Sequence, residues 1–276
     1  MNQFELHDSL NEIDEENREH MLGNIKYSGK TLSDLPTSKN VACIVAGPSL
    51  DERWDEIREF EGLKVCCSRA LICCQEAGVM PDIVVNMDSS DPITHYWDDV
   101  KAPYLSEPVY LASPNTPTKT LERWNGDVAF MHPTCWHEDA LPPGWNGKPD
   151  RLYWGSHIGG FIASFALNIG ATPHLFGYDY NFRGAKVMDP KWGELVVCFQ
   201  YYASPMTRTF LGYKSANMGN QLRCHDARYI LSSYPKEDPE NPGFFTTDNM
   251  ILNRRRLINT FWYYGKEAPC LKTTTS

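Results

Sequence analysis

No apolar run in this sequence is long enough to cross a bilayer. The longest mostly apolar stretch, Ile158–Ala171, falls short of the roughly 20 residues a spanning helix needs. A surplus of positive charge is also missing. Lys and Arg number 26 against 35 Asp and Glu, a net charge of −9. Such a field repels a phosphate backbone, so nucleic acid is not an expected partner. The first twenty residues are acidic, with neither a basic n-region nor an apolar h-region, and a cytoplasmic location is therefore expected. Nine cysteines are present, yet none are spaced as Cys-x-x-Cys and no His pair completes a zinc set. Free, mostly buried thiols in a reducing compartment are expected instead. Two nucleotide signatures are missing as well. The glycines of Gly155-Ser156-His157-Ile158-Gly159-Gly160 do not fall as G-x-G-x-x-G, and no G-K-[ST] follows them. A dinucleotide fingerprint and a P-loop are thereby excluded.

What is present is a chain of 276 residues, 42% hydrophobic, enough for one large α/β domain with helical additions. It is organised around Val41–Asp51, VACIVAGPSLD. A short apolar run ends in Ala46-Gly47-Pro48-Ser49. Leu50, Trp54, Ile57 and Phe60 then recur at helical spacing. The local pattern is strand, tight turn, helix, with Ser49 as N-cap and Glu52 placed for a capping box. Gly47 lets the backbone approach a ligand, and the first-turn N–H groups favour an anion. The pattern fits a phosphate cradle and equally an ordinary capped turn.

Further strands are expected at 63–68, 82–87, 109–112, 128–131 and 174–177. Helices are expected at 69–77, 118–124, 155–170 and from Thr247 or Asp248 to Tyr263. The continuous apolar character of DIVVNM at 82–87 suits a strand buried on both faces. Residues 1–30 carry an apolar stripe (Phe4, Leu6, Leu10, Ile13, Met21, Leu22, Ile25) of an amphipathic helix that packs on the domain or on a partner. With the linker, they form an N-terminal segment 1–39 ahead of an α/β domain at 40–276. Residues 133–150 are expected to be loop. The stretch 181–245 is expected to be long loops or a lid with a short helix near 227–232, and 268–272 a final strand.

Strands alternating with helices predict a mostly parallel sheet covered by helices on both faces. Ligands of such sheets bind outside the carboxyl ends of the strands, where strand order reverses. The unusual polar sequences all fall at those ends: Gly47–Ser49, Asp88–Asp91, Gly155–Gly160 and Tyr178–Asn181. Asp88 and Asp91 could hold Mg²⁺ or take a sugar hydroxyl, or form a solvated turn. Asp179 could bind an acceptor hydroxyl or act as a base. His132, His137, His157 and His225 are the histidines suited to proton transfer. Arg254-Arg255-Arg256 reads as a solvated helix face or as a cation source for a phosphate.

Taken in order, Ala46-Gly47-Pro48-Ser49-Leu50, the Pro81–Val85 strand ending at Asp88, the Gly155-Ser156…Gly159-Gly160 helix and Gly177-Tyr178-Asp179 resemble the MptE-like domain family over residues 40–180. That family takes its name from a 6-hydroxymethylpterin diphosphokinase and includes motility accessory factors that glycosylate flagellin with nonulosonic acids. The same order is similar to bacterial sialyltransferases that use a CMP-activated donor. The resemblance implies a Rossmann-like fold in which Gly47, Pro48, Ser49, Asp88, Ser156 and Gly159 line a nucleotide pocket and Tyr178 and Asp179 place the acceptor. Cys224-His225 resembles the Cys-His pair that carries the sialyltransferase base, although here a further stretch of chain separates it from the last helix. The diphosphokinase T-D-L-D-G sequence is replaced by Asn86-Met87-Asp88-Ser89-Ser90, and its H-A-H-G-D-N motif is missing. The implied activity is transfer of a sugar from a CMP-sugar donor to an acceptor, with His225 as base. The alternatives are an ATP- and Mg²⁺-dependent diphosphokinase with Asp88 and Asp91 as metal ligands, or a non-catalytic nucleotide-binding or interaction protein. The donor sugar, the acceptor and any oligomer are left open.

Overall fold

The computed structural model describes residues 15–89, 97–133, 141–146, 150–153, 157–189, 193–199, 211–214, 223–224 and 236–268. Within them lies a seven-stranded sheet of β1 (Asn40–Ile44), β2 (Leu63–Cys67), β3 (Ile83–Asn86), β4 (Val109–Ala112), β5 (Val128–Pro133), β6 (Asp150–Leu152) and β7 (Thr172–Phe176). Their order is β6-β5-β4-β3-β2-β1-β7, and every neighbouring pair is parallel. The expected α/β, Rossmann-like class is what the chain adopts. β1, β2 and β3 are apolar on both faces, and Val41–Ile44, Val65–Cys67 and Ile83–Val85 are all buried. That is the reason their sequences read as continuous apolar runs rather than alternating ones. Cys43, Cys66, Cys67, Cys73 and Cys74 are free and buried in this core.

The strand order fixes where a ligand can sit. From β1 to β6 the chain steps in one direction, so right-handed crossovers put the intervening helices on one face. α1 (Glu15–Asn24) precedes β1; the intervening helices are α2 (Trp54–Arg58), α3 (Leu71–Glu76) and α4 (Thr118–Glu122). The chain then returns to pair β7 with β1. Its crossover helix α5 (Ile158–Asn168) therefore lies on the opposite face, packed over β1, β2, β3, β6 and β7. Gly159–Ala166 are all buried there, because α6 (Asp248–Tyr263) covers α5 from outside. Thr247 caps α6 by accepting from the Met250 N–H at 3.2 Å. Strand order reverses between β1 and β7, and in sheets of this kind the crevice that takes a ligand lies at the carboxyl ends of those two strands.

Three expectations are corrected. Residues 133–150 are not loop throughout, because β5 runs to Pro133 and Asp150–Leu152 adds an edge strand beside it. The stretch 181–245 is not loop where it is described. It supplies β8 (Phe182–Asp189), β9 (Gly193–Phe199), β10 (Leu211–Lys214), β11 (Arg223–Cys224), β12 (Lys236–Asp238) and β13 (Asn241–Thr246). They form a second, antiparallel sheet in the order β11-β10-β9-β8-β13-β12. The apolar run Leu195–Phe199 was the available signal. The helix expected at 227–232 lies outside the described residues, as does most of the strand expected at 268–272.

The third correction concerns the turn after β1. Its N-cap is Gly47, not Ser49, and Pro48 opens a 3-10 turn over Pro48–Glu52 before α2 begins. Proline favours the first helical position because its fixed φ is already helical and it has no N–H to leave unpaired. Ser49 therefore falls inside the turn.

The amino-terminal helix α1 packs on the domain itself. The Asn24 side-chain amide donates to the carbonyls of Pro114 (2.9 Å) and Thr116 (2.7 Å). A Cβ on Gly23 would lie 2.6 Å from Thr118 Oγ1, so α1 and α4 meet at a glycine.

Candidate functional site at the β1–β7 switch point

β1 and β7 leave the sheet side by side. The Val45 N–H donates to the Phe176 carbonyl (2.9 Å), extending the ladder by one bond. Beyond it the two turns touch backbone to backbone. A Cβ on Gly47 would lie 2.2 Å from the Gly177 carbonyl oxygen and 2.2 Å from Asp179 Oδ2. A Cβ on Gly177 would lie 1.8 Å from the Val45 carbonyl oxygen, and Gly177 also sits at φ +73°. Gly47 at φ −94° has no need of glycine's conformational freedom. It is glycine because nothing larger fits.

That approach brings Asp179 onto the turn. Its Oδ2 accepts from the Ser49 N–H (3.0 Å) and from the Ser49 hydroxyl (2.8 Å). A carboxylate from the end of β7 thus satisfies a first-turn donor that the sequence assigns to a local cap. Burial pushes the Asp179 carboxyl above its ordinary range, and the two Ser49 donors and the Arg53 charge oppose that shift. Arg53 is fixed by bonds to Glu56 and to the Leu175 carbonyl (2.9 Å), with its guanidinium 4.2 Å over the Phe176 ring.

The start of α5 forms the third wall. His157 is its N-cap, with Nε2 accepting from the Gly160 N–H (3.0 Å). The same nitrogen lies 2.7 Å from the Tyr180 hydroxyl. A nitrogen that accepts from a backbone N–H carries no proton, so the ring proton is on Nδ1 and Tyr180 is the donor. Gly159 faces the tyrosines directly, and a Cβ there would lie 2.9 Å from Tyr178 Cε1. Tyr178, expected to touch an acceptor, has a buried ring and a hydroxyl bonded to the Gly159 carbonyl (2.9 Å). It packs the floor of the crevice. Burial raises the phenol of Tyr178 and that of Tyr180 well above the ordinary tyrosine range.

Behind the two turns lie Asp238, Glu240 and Asn241, which sequence reasoning missed, with Arg254, which it read as a solvated face or a phosphate cation. Arg254 on α6 is buried and pairs with Asp238 on β12 (2.6 Å) and with Glu240 (2.7 Å). Asp238 also accepts from the side-chain amides of Asn181 (3.0 Å) and Asn241 (2.8 Å). Burial works against its ionisation, but these donors outweigh burial and hold the carboxyl below its ordinary range. Asn181 Oδ1 is buried with no hydrogen-bond partner among the described residues, an acceptor of the kind that a water or ligand donor satisfies. The signal was in the helix period. Met250, Arg254, Leu257 and Phe261 share one stripe, and a charged residue among apolar ones on a packed face implies a buried partner. Ile258, next to Leu257 but off that stripe, is half exposed.

The remaining expected residues are dispersed or undescribed. Asp88 lies beyond the end of β3, two strands from β1, exposed, with its backbone N–H and carbonyl bonded to the Asn86 side chain (3.2 and 3.0 Å). Ser156, Asp91, His137 and His225 lie outside the described residues, and His132 ends in β5. The structure therefore gathers Gly47, Pro48, Ser49, His157, Gly159, Gly177, Tyr178, Asp179, Tyr180, Asn181 and Arg254 from among the residues the sequence offers and adds Asp238.

Comparison with known proteins agrees with this architecture. The solved structure of the MAf glycosyltransferase from Magnetospirillum magneticum AMB-1 superposes with a TM-score of 0.58 at 15% identity. The match covers 94% of this chain and 35% of that one, so the chain spans about a third of the solved protein, and the likeness is one of fold. No individual curated protein matches the chain in sequence. The family model described as "6-hydroxymethylpterin diphosphokinase MptE-like" matches residues 19–185, from within α1 through every strand of the parallel sheet to β8. That span is more than half of the sequence and contains the two turns that meet at the β1–β7 switch point, and the chain belongs to the MptE-like family.

Proposed function

We propose that the chain is a glycosyltransferase-like transferase whose nucleotide-sugar donor, a CMP-sugar, seats in the crevice over the β1–β7 switch point. The observation that carries this reading is the meeting of the Gly47–Ser49 turn, the Gly177–Asn181 turn and the start of α5 at the one place where strand order reverses. The solved glycosyltransferase of like fold supports it.

Asp179 already holds the Ser49 N–H, and a donor phosphate placed on that same N–H would meet a carboxylate of like charge. The phosphate fits better at the head of α5, near Ser156 and Gly159, where first-turn N–H groups and the helix dipole favour an anion. Gly47, Pro48 and Ser49 then wall the nucleotide, and Asp88 serves its ribose side. Asp179, anchored by Ser49, takes a sugar or acceptor hydroxyl. His225 removes the acceptor's proton. The oxygen so exposed bonds to the anomeric carbon as the sugar–phosphate bond breaks, and the phosphate leaves with the electron pair.

Thermal stabilisation by CMP, CDP and ATP, each with Mg²⁺ and with chelator, tests this reading. A ligand at a hundredfold excess over its Kd adds about 2.7 kcal/mol. A shift with CMP that survives chelation, and a His225→Ala variant that keeps the shift but loses turnover, are the expected results. No shift with any nucleotide refutes the donor site. A shift with ATP only in the presence of Mg²⁺ favours the second reading, the diphosphokinase activity in the family's description.

A further inference from the structure

We infer that the Arg254–Asp238 ion pair is the strut that positions the crevice's carboxylate, so that the second sheet and α6 set the geometry of the switch-point site. Three consecutive residues after β7 are each held from this side. The Asp179 carbonyl accepts from Arg254 Nη2 (3.2 Å), and the Tyr180 carbonyl accepts from the Thr246 hydroxyl (2.8 Å). The Asn181 amide donates to Asp238 Oδ2 (3.0 Å), the same oxygen that Arg254 Nη2 reaches at 2.6 Å. Between them Tyr180 sits at φ +53°, a left-handed conformation that a bulky residue keeps only when its surroundings over-determine it. The reversal at Tyr180 lets the Asp179 side chain reach Ser49 while the Tyr180 ring reaches His157.

The chemistry of the pair argues that it does more than hold the fold together. Two buried charges stabilise a fold little better than apolar residues of the same volume. A planar guanidinium can, however, bond a carboxylate and a backbone carbonyl at once and fix the angle between them. Here the carbonyl is that of the residue whose side chain caps the Gly47–Ser49 turn. Arg254 and Asp238 are thus positioning residues acting through Asp179. Their importance for ligand binding rests on the reading of the crevice as the donor site. Their action on Asp179 does not.

The test separates the two. In the full chain, hydrogen exchange of the Ser49 amide, whose acceptor is Asp179, is compared with exchange of the β1 amides at Val41–Ile44. Arg254→Met with Asp238→Asn, which removes both charges but keeps an acceptor oxygen for the Asn181 and Asn241 amides, is expected to cost the Ser49 amide at least tenfold in protection while the β1 amides keep theirs. CMP affinity is expected to fall about tenfold in the same variant. Ser49 protection within twofold of the wild type overturns the inference. If the double variant does not fold, Arg254→Met alone serves. It removes the donor to the Asp179 carbonyl while Asn181 and Asn241 still donate to Asp238, and unchanged Ser49 protection there overturns the inference equally. Should wild-type protein bind no nucleotide, the donor-site reading falls, and the exchange result still decides the strut.

Discussion

Gly47→Ala is the sharpest probe of the switch point, because its effect is steric and not conformational. At φ −94° alanine is as well accommodated as glycine, and by restricting the unfolded chain it would by itself stabilise by about 0.4–1 kcal/mol. Against that gain, the new Cβ lies 2.2 Å from a backbone carbonyl oxygen and 2.2 Å from Asp179 Oδ2. The side chain can swing away, but the Gly177 carbonyl belongs to the β7 exit and moves only with it. Overpacking of this kind costs about 1–3 kcal/mol. Displacing Asp179 from the two Ser49 donors adds about 1.5–3 kcal/mol for hydrogen bonds to a charged group. The net loss is about 2–5 kcal/mol, a fall in melting temperature of about 4–10 °C for a chain of this size. Calorimetry reads it directly. Gly78→Ala is the control. Gly78 sits at φ +68° with open space around it, so alanine there meets only the left-handed penalty of about 1–2 kcal/mol. In an Asp179→Ala background, Gly47→Ala loses one of its two clashes and is expected to be at least 1 kcal/mol less damaging than in the wild type. A Gly47→Ala protein melting within about 1 °C of the wild type, or effects that simply add, would refute the close approach of the two turns.

Two further predictions follow from buried polar groups. Asp238 is held below the ordinary carboxylate range, so the stability it contributes is present above about pH 4 and is lost as pH falls through its folded value. Asp179 is raised, so its ionisation weighs against the fold as pH rises from about 4. Acid titration of the unfolding midpoint should therefore be shallower below pH 4 in Asp238→Asn, while Asp179→Asn should gain on the wild type between about pH 4 and pH 7. A wild-type acid profile in both variants would contradict these assignments. Asn24→Leu removes the donor from the carbonyls of Pro114 and Thr116 and leaves them buried without it. A loss of about 2 kcal/mol in denaturant unfolding is expected, and no loss would mean that α1 does not depend on this contact.

The sequence by itself determined the parallel sheet. Buried parallel strands must be apolar on both faces, which makes VACIV, LKVCC and DIVVNM legible without any partner in view. It also determined the last helix, since Thr247 and the stripe after it are local signals. Tertiary structure decided the rest. β6 is three residues at an edge, too short to show a period. The second sheet is mostly built from neighbours along the chain, but β8 also pairs with β13, far along it, and no local pattern encodes that pairing. Ser49 had every mark of an N-cap, yet its donor is satisfied by a carboxylate 130 residues away. Arg254 sat in a run of three arginines that read as a solvated face or a cation for a phosphate, and it is Asp238, on a strand of the second sheet, that neutralises it. Local sequence can specify which groups need partners. Only the fold decides which groups supply them, because hydrogen bonds and ion pairs act across a few ångströms of space, however many residues of chain lie between.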